Sequence, residues 1–209
     1  MNILAIGAHF DDVELGCGGA LAKHASNGDQ VTVYVATKSG YANEFKEPIR
    51  SNADAAAEGK KAMDILGVQH SITGSFETFA LEFSDPLNVE ILQLMKSKLF
   101  ELAYIHWAAD SHHDHKVLAQ ASLHYCRHVP KVLMYRSNWY QSTVSFNGNF
   151  HVDISAHWPT KLAAIEAHAT EVTRTRGNWL NFWEQQARSE GLRVGVEFAE
   201  VFELVKWKA

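Results

Sequence analysis

Two junctions in this chain constrain its fold more than its composition does. At the first, a short apolar run over residues 3–7 gives way to a helix-like pattern over residues 15–25, with A-H-F-D-D-V-E across residues 8–14 between them. A short apolar run suits a buried strand, and the spacing that follows suits a helix closing at Gly28. His9, Asp11 and Asp12 therefore fall at the carboxyl end of a first strand. In open α/β sheets ligands bind at that end. A histidine three residues from an aspartate can meet it across a tight turn, and zinc takes both kinds of donor. Helix capping is an alternative for the same acids: Asp11 suits an N-cap, and Glu14 three residues on completes a capping-box pattern. Capping leaves His9 unexplained.

The second junction is D-S-H-H-D-H at residues 110–115, following another apolar run over residues 102–107 that reads as a strand. His112 and His115 stand three apart, with Asp114 between them as a carboxylate able to fix an imidazole tautomer. Together the two strand-end clusters supply His, Asp and His with a fourth position open. That is the composition of a catalytic rather than a closed structural zinc site.

The rest of the chain alternates in the same way. Residues 31–37 read as a second strand, residues 54–66 as a helix and residues 72–76 as a third strand. A helix starts at Pro86 and runs to about residue 99. After His115 a helix reaches residue 127 and a strand covers residues 131–136. Helices over residues 155–169 and 178–191 carry Trp158, Trp179 and Trp183 at core-like spacings, and a strand over residues 197–205 follows. This order predicts an α/β fold, a Rossmann-like three-layer sandwich with a mostly parallel sheet. The length fits one domain over residues 1–209. Residues 38–52 have no period and read as a long loop at the ligand end, which makes Ser39, Tyr41 and Arg50 candidate substrate contacts against the plainer reading of a solvated loop. Arg136, Trp139 and Tyr140, just past a strand, could reach the same end, where an aromatic ring beside hydrogen-bond donors suits a sugar, against the plainer reading that such aromatics belong to the core.

Charge and cysteine content narrow the functions. A net charge of -5 and a pI near 6.2 argue against a dedicated nucleic-acid binder. No apolar run approaches a membrane span and no basic, apolar leader opens the chain, so a cytoplasmic protein is expected. Cys17 and Cys126 form neither a zinc nor a redox motif. Within G-C-G-G, Cys17 reads as packing, the small residues letting the first helix approach the sheet. A dinucleotide-binding protein would place glycines at the first strand–helix turn, where this chain has His9, Asp11 and Asp12. A phospho-receiver would need an aspartate in I-T-G-S-F, which has none. A metal-binding protein without catalysis would leave Asp11 idle.

The pattern A-H-F-D-D-V-E-L-G-C-G-G with D-S-H-H-D-H resembles the PIG-L/LmbE-like zinc-dependent N-deacetylases. V-D-I-S at residues 152–155, a following helix with His168, and F-A-E-V-F at residues 198–202 are similar to later landmarks of that family. Its members remove acetyl groups from N-acetylglucosamine-type substrates. The resemblance implies a Zn2+ ion held by His9, Asp12 and His115, with Asp11 as general base. It further implies His112 as oxyanion stabiliser with Asp114 as its partner, and a His112 held by that carboxylate is expected to be protonated. The implied partner is a small amino-sugar substrate or its conjugate, with a non-sugar amide as the alternative and homo-oligomerisation left open. Three departures stand out. Phe10 replaces a usual proline, His168 is followed by A-T-E rather than S-Q, and Ala55 sits three residues before Glu58 where the family often has arginine. Arg50 is near but out of that register.

Overall fold

In the computed structural model, which describes residues 1–208, the apolar runs assemble into a seven-stranded sheet. Strand β1 (Asn2–Gly7) is central because it is buried on both faces: Ile3 and Ala5 enter one core layer, Leu4 and Ile6 the other. That alternation follows from the two-residue period of a strand. β1 pairs in parallel with β2 (Gln30–Thr37) on one side and β6 (Leu102–His106) on the other. β5 (His70–Phe76) extends the β2 side and β7 (Lys131–Tyr135) the β6 side, both in parallel. Beyond β7 the direction changes: β9 (Ala199–Trp207) runs antiparallel to β7, and β8 (Phe150–Asp153) closes the edge antiparallel to β9. The sheet is mostly parallel, as the alternation of strand and helix patterns predicts.

Helices α1 (Asp12–Ser26), α2 (Asn52–Leu66) and α5 (Trp158–Glu166) cover one face, and α3 (Asp85–Ser97) with α4 (His113–Tyr125) the other. α6 (Ala169–Arg174) and α7 (Asn178–Val194) follow α5, and α7 packs against β9. α1 lies close on the sheet, as the G-C-G-G reading expects. A Cβ on Gly16 would sit 2.0 Å from the Tyr135 ring. A buried ion pair ties the same helix to its neighbours: Lys161 Nζ lies 2.6 Å from Glu200 Oε1 and donates to the Leu15 carbonyl, and Glu200 accepts the Gly19 and Ala20 N–H groups.

Two expectations are corrected. Residues 38–52 are not a featureless loop, since β3 (Tyr41–Ala42) and β4 (Pro48–Arg50) pair as a small antiparallel hairpin. α2 then starts directly, capped by the Ser51 hydroxyl, which accepts the Asp54 N–H at 3.0 Å. The helix expected over residues 155–169 is divided, because Pro159 is favoured only in the first turn and α5 begins there. Among the described residues no helix is long and apolar enough to cross a membrane.

Because β2 and β6 flank β1 on opposite sides, the connections leaving the carboxyl ends of β1 and β6 run apart. A crevice opens between those two strand ends, the ligand position of such sheets.

Candidate active site

Both histidine-aspartate clusters face that crevice. His9 follows β1, Asp12 opens α1, and His115 lies in the first turn of α4. His9 Nδ1 is 3.4 Å from His115 Nε2 and 3.3 Å from Asp12 Oδ2, and His115 Nε2 is 3.1 Å from Asp12 Oδ1. Tetrahedral zinc with bonds of about 2.0–2.1 Å sets its donor atoms about 3.3–3.4 Å apart. His9 Nδ1 and His115 Nε2 thus stand at the spacing of two zinc ligands, and Asp12 meets each through a different oxygen; the donor atoms that come together as threes are those of His9, His112 and His115 and those of Asp12, His106 and His115.

The surroundings favour a cation at this point. Burial opposes charge on His9, but hydrogen bonds to Asp114 and Asp12 outweigh it and raise its pKa to about 9. Burial likewise opposes charge on His115, and Asp12 with Asp110 raises its pKa to about 10. A negative field that holds protons on these rings also favours a metal in their place. Each ring has a carboxylate at its other nitrogen: Asp114 Oδ2 is 3.0 Å from His9 Nε2, and Asp110 Oδ2 is 3.2 Å from His115 Nδ1. Such partners orient imidazole ligands.

Asp11 stands beside this set with φ of 120°. Its side chain does not cap α1, so the capping expectation is corrected, and Glu14 is not its capping-box partner. Glu14 Oε1 instead meets His168 Nε2 at 2.8 Å, and Asp11 Oδ2 accepts from Arg50 NH1 at 3.1 Å. Burial and the neighbouring Asp12 charge raise the Asp11 pKa to about 7, against the opposing pull of Arg50.

His112 lies at the N-cap of α4, facing the cavity, with its ring 4.8 Å from that of His9. The expected support from the Asp114 carboxylate is not found. That carboxylate accepts from the Phe79 and Leu81 N–H groups and meets His9, while Asp114 touches His112 only by donating its backbone N–H to Nδ1 at 3.2 Å. The charges around His112 favour its neutral ring over the protonated one expected. Burial and the charges of His115 and His9 lower its pKa to about 4. With Nδ1 accepting, the neutral ring carries its hydrogen on Nε2.

The predicted substrate contacts divide four ways. Ser39 lines the cavity, but its hydroxyl is occupied, accepting the Phe10 N–H at 2.8 Å. Arg50 is 2% exposed and lies beneath Asp11, bonded also to the Phe10 carbonyl, to His168 Nδ1 at 2.9 Å and to Glu58 Oε2 at 3.0 Å. It is a buried anchor that also lines the cavity. Arg136 does not line this cavity: it donates to Gln186 and sits over the Phe146 ring, because it leaves β7 on the side facing α7. Tyr41, Trp139 and Tyr140 do line the cavity, which measures about 320 Å³.

Three groups were not legible in the sequence. His106 ends β6 fully buried, stacks on His115 at 4.1 Å between centroids, and accepts the Ala8 N–H at 2.9 Å. Burial and the His115 charge lower its pKa, which keeps it neutral. Ser137 donates to Asp12 Oδ1 at 2.8 Å. Asp110 opens the second motif, and nothing in that pattern marks it as the partner of His115.

A family model described as GlcNAc-PI de-N-acetylase, PIG-L, matches residues 4–126. An uncharacterized deacetylase YaiS of Escherichia coli strain K12 is 33% identical over 177 residues, covering 80% of this chain and 90% of that protein. Among solved structures, conserved protein TT1542 of Thermus thermophilus superposes with a TM-score of 0.84 at 21% identity, covering 98% of this chain and 94% of the other. An N,N'-diacetylchitobiose deacetylase of Pyrococcus horikoshii superposes with a TM-score of 0.83 at 19% identity, over 98% of this chain and 83% of the other. At these identities the two structures share the fold.

Proposed function

The chain belongs to the PIG-L family of deacetylases, and from that premise we propose that it is a zinc-dependent hydrolase removing the N-acetyl group of an N-acetylglucosamine-type amino sugar or its conjugate. The carrying observation is the approach of His9 Nδ1 to His115 Nε2 at 3.4 Å, with Asp12 facing one ring through each of its oxygens at 3.3 and 3.1 Å, and with Asp11 and His112 beside them on the cavity wall. Those three residues would hold the ion. Zinc held by three protein ligands would supply Lewis acidity and lower the pKa of a water to ~7.

The chain's own groups do the rest. Arg50 engages one oxygen of Asp11, and Asp11, which lines the cavity, takes a proton from the attacking water as general base. Attack on the acetyl carbonyl carbon places negative charge on the carbonyl oxygen. The Nε2–H of neutral His112 donates to that oxygen, a hydrogen bond stronger in the transition state than in the ground state. As the C–N bond breaks, Asp11 returns its proton to the leaving nitrogen, giving acetate and a free amine.

Acetate release from a panel of N-acetylated amino sugars, free and conjugated, tests the reaction. Asp11→Asn separates base from ligand: asparagine is isosteric with the aspartate that already holds a φ of 120° here, so fold and metal content should hold. Its rate should fall by ~10²–10⁴, the usual worth of a positioned base. Asp12→Asn should instead lose metal. A metal-replete Asp11→Asn protein with near-normal turnover would refute the mechanism.

A further inference from the structure

Phe79, between β5 and α3, carries two unfavourable features that the fold does not require. Its φ is 65°, a left-handed backbone in which a bulky side chain is strained. Its ring is 60% exposed, so the strain is not offset by burial in the core. The conformation is nevertheless held firmly: the Phe79 N–H donates to Asp114 Oδ2 at 2.7 Å, and the Leu81 N–H donates to the other oxygen at 3.2 Å, with the Leu81 side chain fully buried. The carboxylate that orients His9 therefore also sets where this ring stands. The ring lies over His112 at 5.2 Å with 28° between planes and meets Tyr41 edge-on at 6.4 Å, and both aromatic side chains line the cavity. Strained exposed residues held by their surroundings cluster at ligand sites.

We propose that Phe79 is a specificity-determining residue whose ring, with Tyr41 beside it, forms the wall on which the apolar face of a bound sugar ring packs, so that the site selects amino-sugar amides over small linear amides. The hydrolytic readout of this role rests on the deacetylase reading. The face of an aromatic ring is electron-rich and apolar and complements the C–H-bearing face of a pyranose. A linear N-acetyl amine presents no such face and gains nothing from the wall.

The test uses metal-loaded protein, with N,N'-diacetylchitobiose as the sugar probe and N-acetylethanolamine as the linear one. Sugar binding is measured by calorimetry in the Asp11→Asn background, and hydrolysis is measured with Asp11 intact. Glycine accepts the backbone conformation of residue 79 without strain, so Phe79→Gly should keep its metal and hold or raise its melting temperature. It should also weaken sugar binding about tenfold, lower kcat/KM for the sugar mainly through KM, and leave the linear amide unchanged. Phe79→Trp should restore sugar binding to within about threefold. Sugar binding without hydrolysis in the otherwise wild-type chain would refute the deacetylase reading, and the binding comparison would still decide the role of Phe79. Equal sugar binding with and without the ring, equal losses on both probes, or no sugar binding by the chain with Phe79 in place would overturn the proposal.

Discussion

Replacing Arg50 with methionine separates two ways in which this residue could serve the site. The guanidinium donates to the Phe10 carbonyl at 3.0 Å and to Asp11 Oδ2 at 3.1 Å through NH1, and NH2 lies 2.9 Å from His168 Nδ1 and 3.0 Å from Glu58 Oε2. Two of these partners are carboxylates, and a hydrogen bond to a charged group contributes ~1.5–3 kcal/mol, so the pair amounts to roughly 3–6 kcal/mol. Removal of one member of a buried ion cluster independently costs ~3–5 kcal/mol, because the remaining charges lose their partner. At ~2–4 °C per kcal/mol for a chain of this size, Arg50→Met should melt about 6–20 °C lower. Metal content should hold, since none of the four groups that Arg50 contacts is His9, Asp12 or His115. Activity should fall chiefly in kcat, because Asp11 loses the group that orients it. Melting curves, metal analysis and steady-state kinetics on the same preparation read all three. A variant with an unchanged melting temperature, an unchanged kcat and a raised KM would refute this account and return Arg50 to the substrate-contacting loop expected from sequence.

Two further substitutions test neighbouring assignments. Lys161→Met leaves the buried Glu200 carboxylate without its cation and should destabilise by ~3–5 kcal/mol; adding Glu200→Gln should recover part of that in a urea titration, and an unchanged midpoint in the single variant would refute the pairing. Arg136→Ala should leave KM for an N-acetylated sugar within about twofold, because the guanidinium is engaged with Gln186 outside the cavity; a tenfold rise would restore the sequence reading.

Position along the chain was legible where two periodicities met. Short apolar runs followed by helical spacing put His9, Asp11, Asp12, His112 and His115 at strand ends, and a parallel sheet brings those ends to one edge. Pairing within the site was not legible, for reasons of geometry. Sequence proximity favoured Asp114 as the partner of His112, but residues two apart at the start of a helix do not face one another. The Asp114 carboxylate turns toward β1 and meets His9, while Asp110, outside the helix, reaches His115. His106 was hidden because a histidine closing an apolar strand carries no local sign of its neighbours, here Ala8 and His115. Strand β8 is four residues long and only partly buried, too short for a clear alternation.

The departure at Phe10 is explained by the same contacts that the sequence could not show. A proline would fix φ at this turn covalently, whereas here the turn is fixed from outside. The Phe10 ring is buried against α2 where Gly59 leaves room, a Cβ at Gly59 falling 2.1 Å from the ring. The Phe10 N–H is held by Ser39 and its carbonyl by Arg50. These three contacts frame the next residue, Asp11, whose φ of 120° carries a strain of ~1–3 kcal/mol. Arg50 satisfies the register that Ala55 left empty, since a guanidinium arriving from the end of β4 reaches Glu58 as one from the preceding turn of α2 would. The geometry of Asp11 therefore depends on the hairpin and on α2, not on the first motif alone. Tyr41 of that hairpin also lines the cavity, so the segment that fixes the base forms part of the wall a substrate meets.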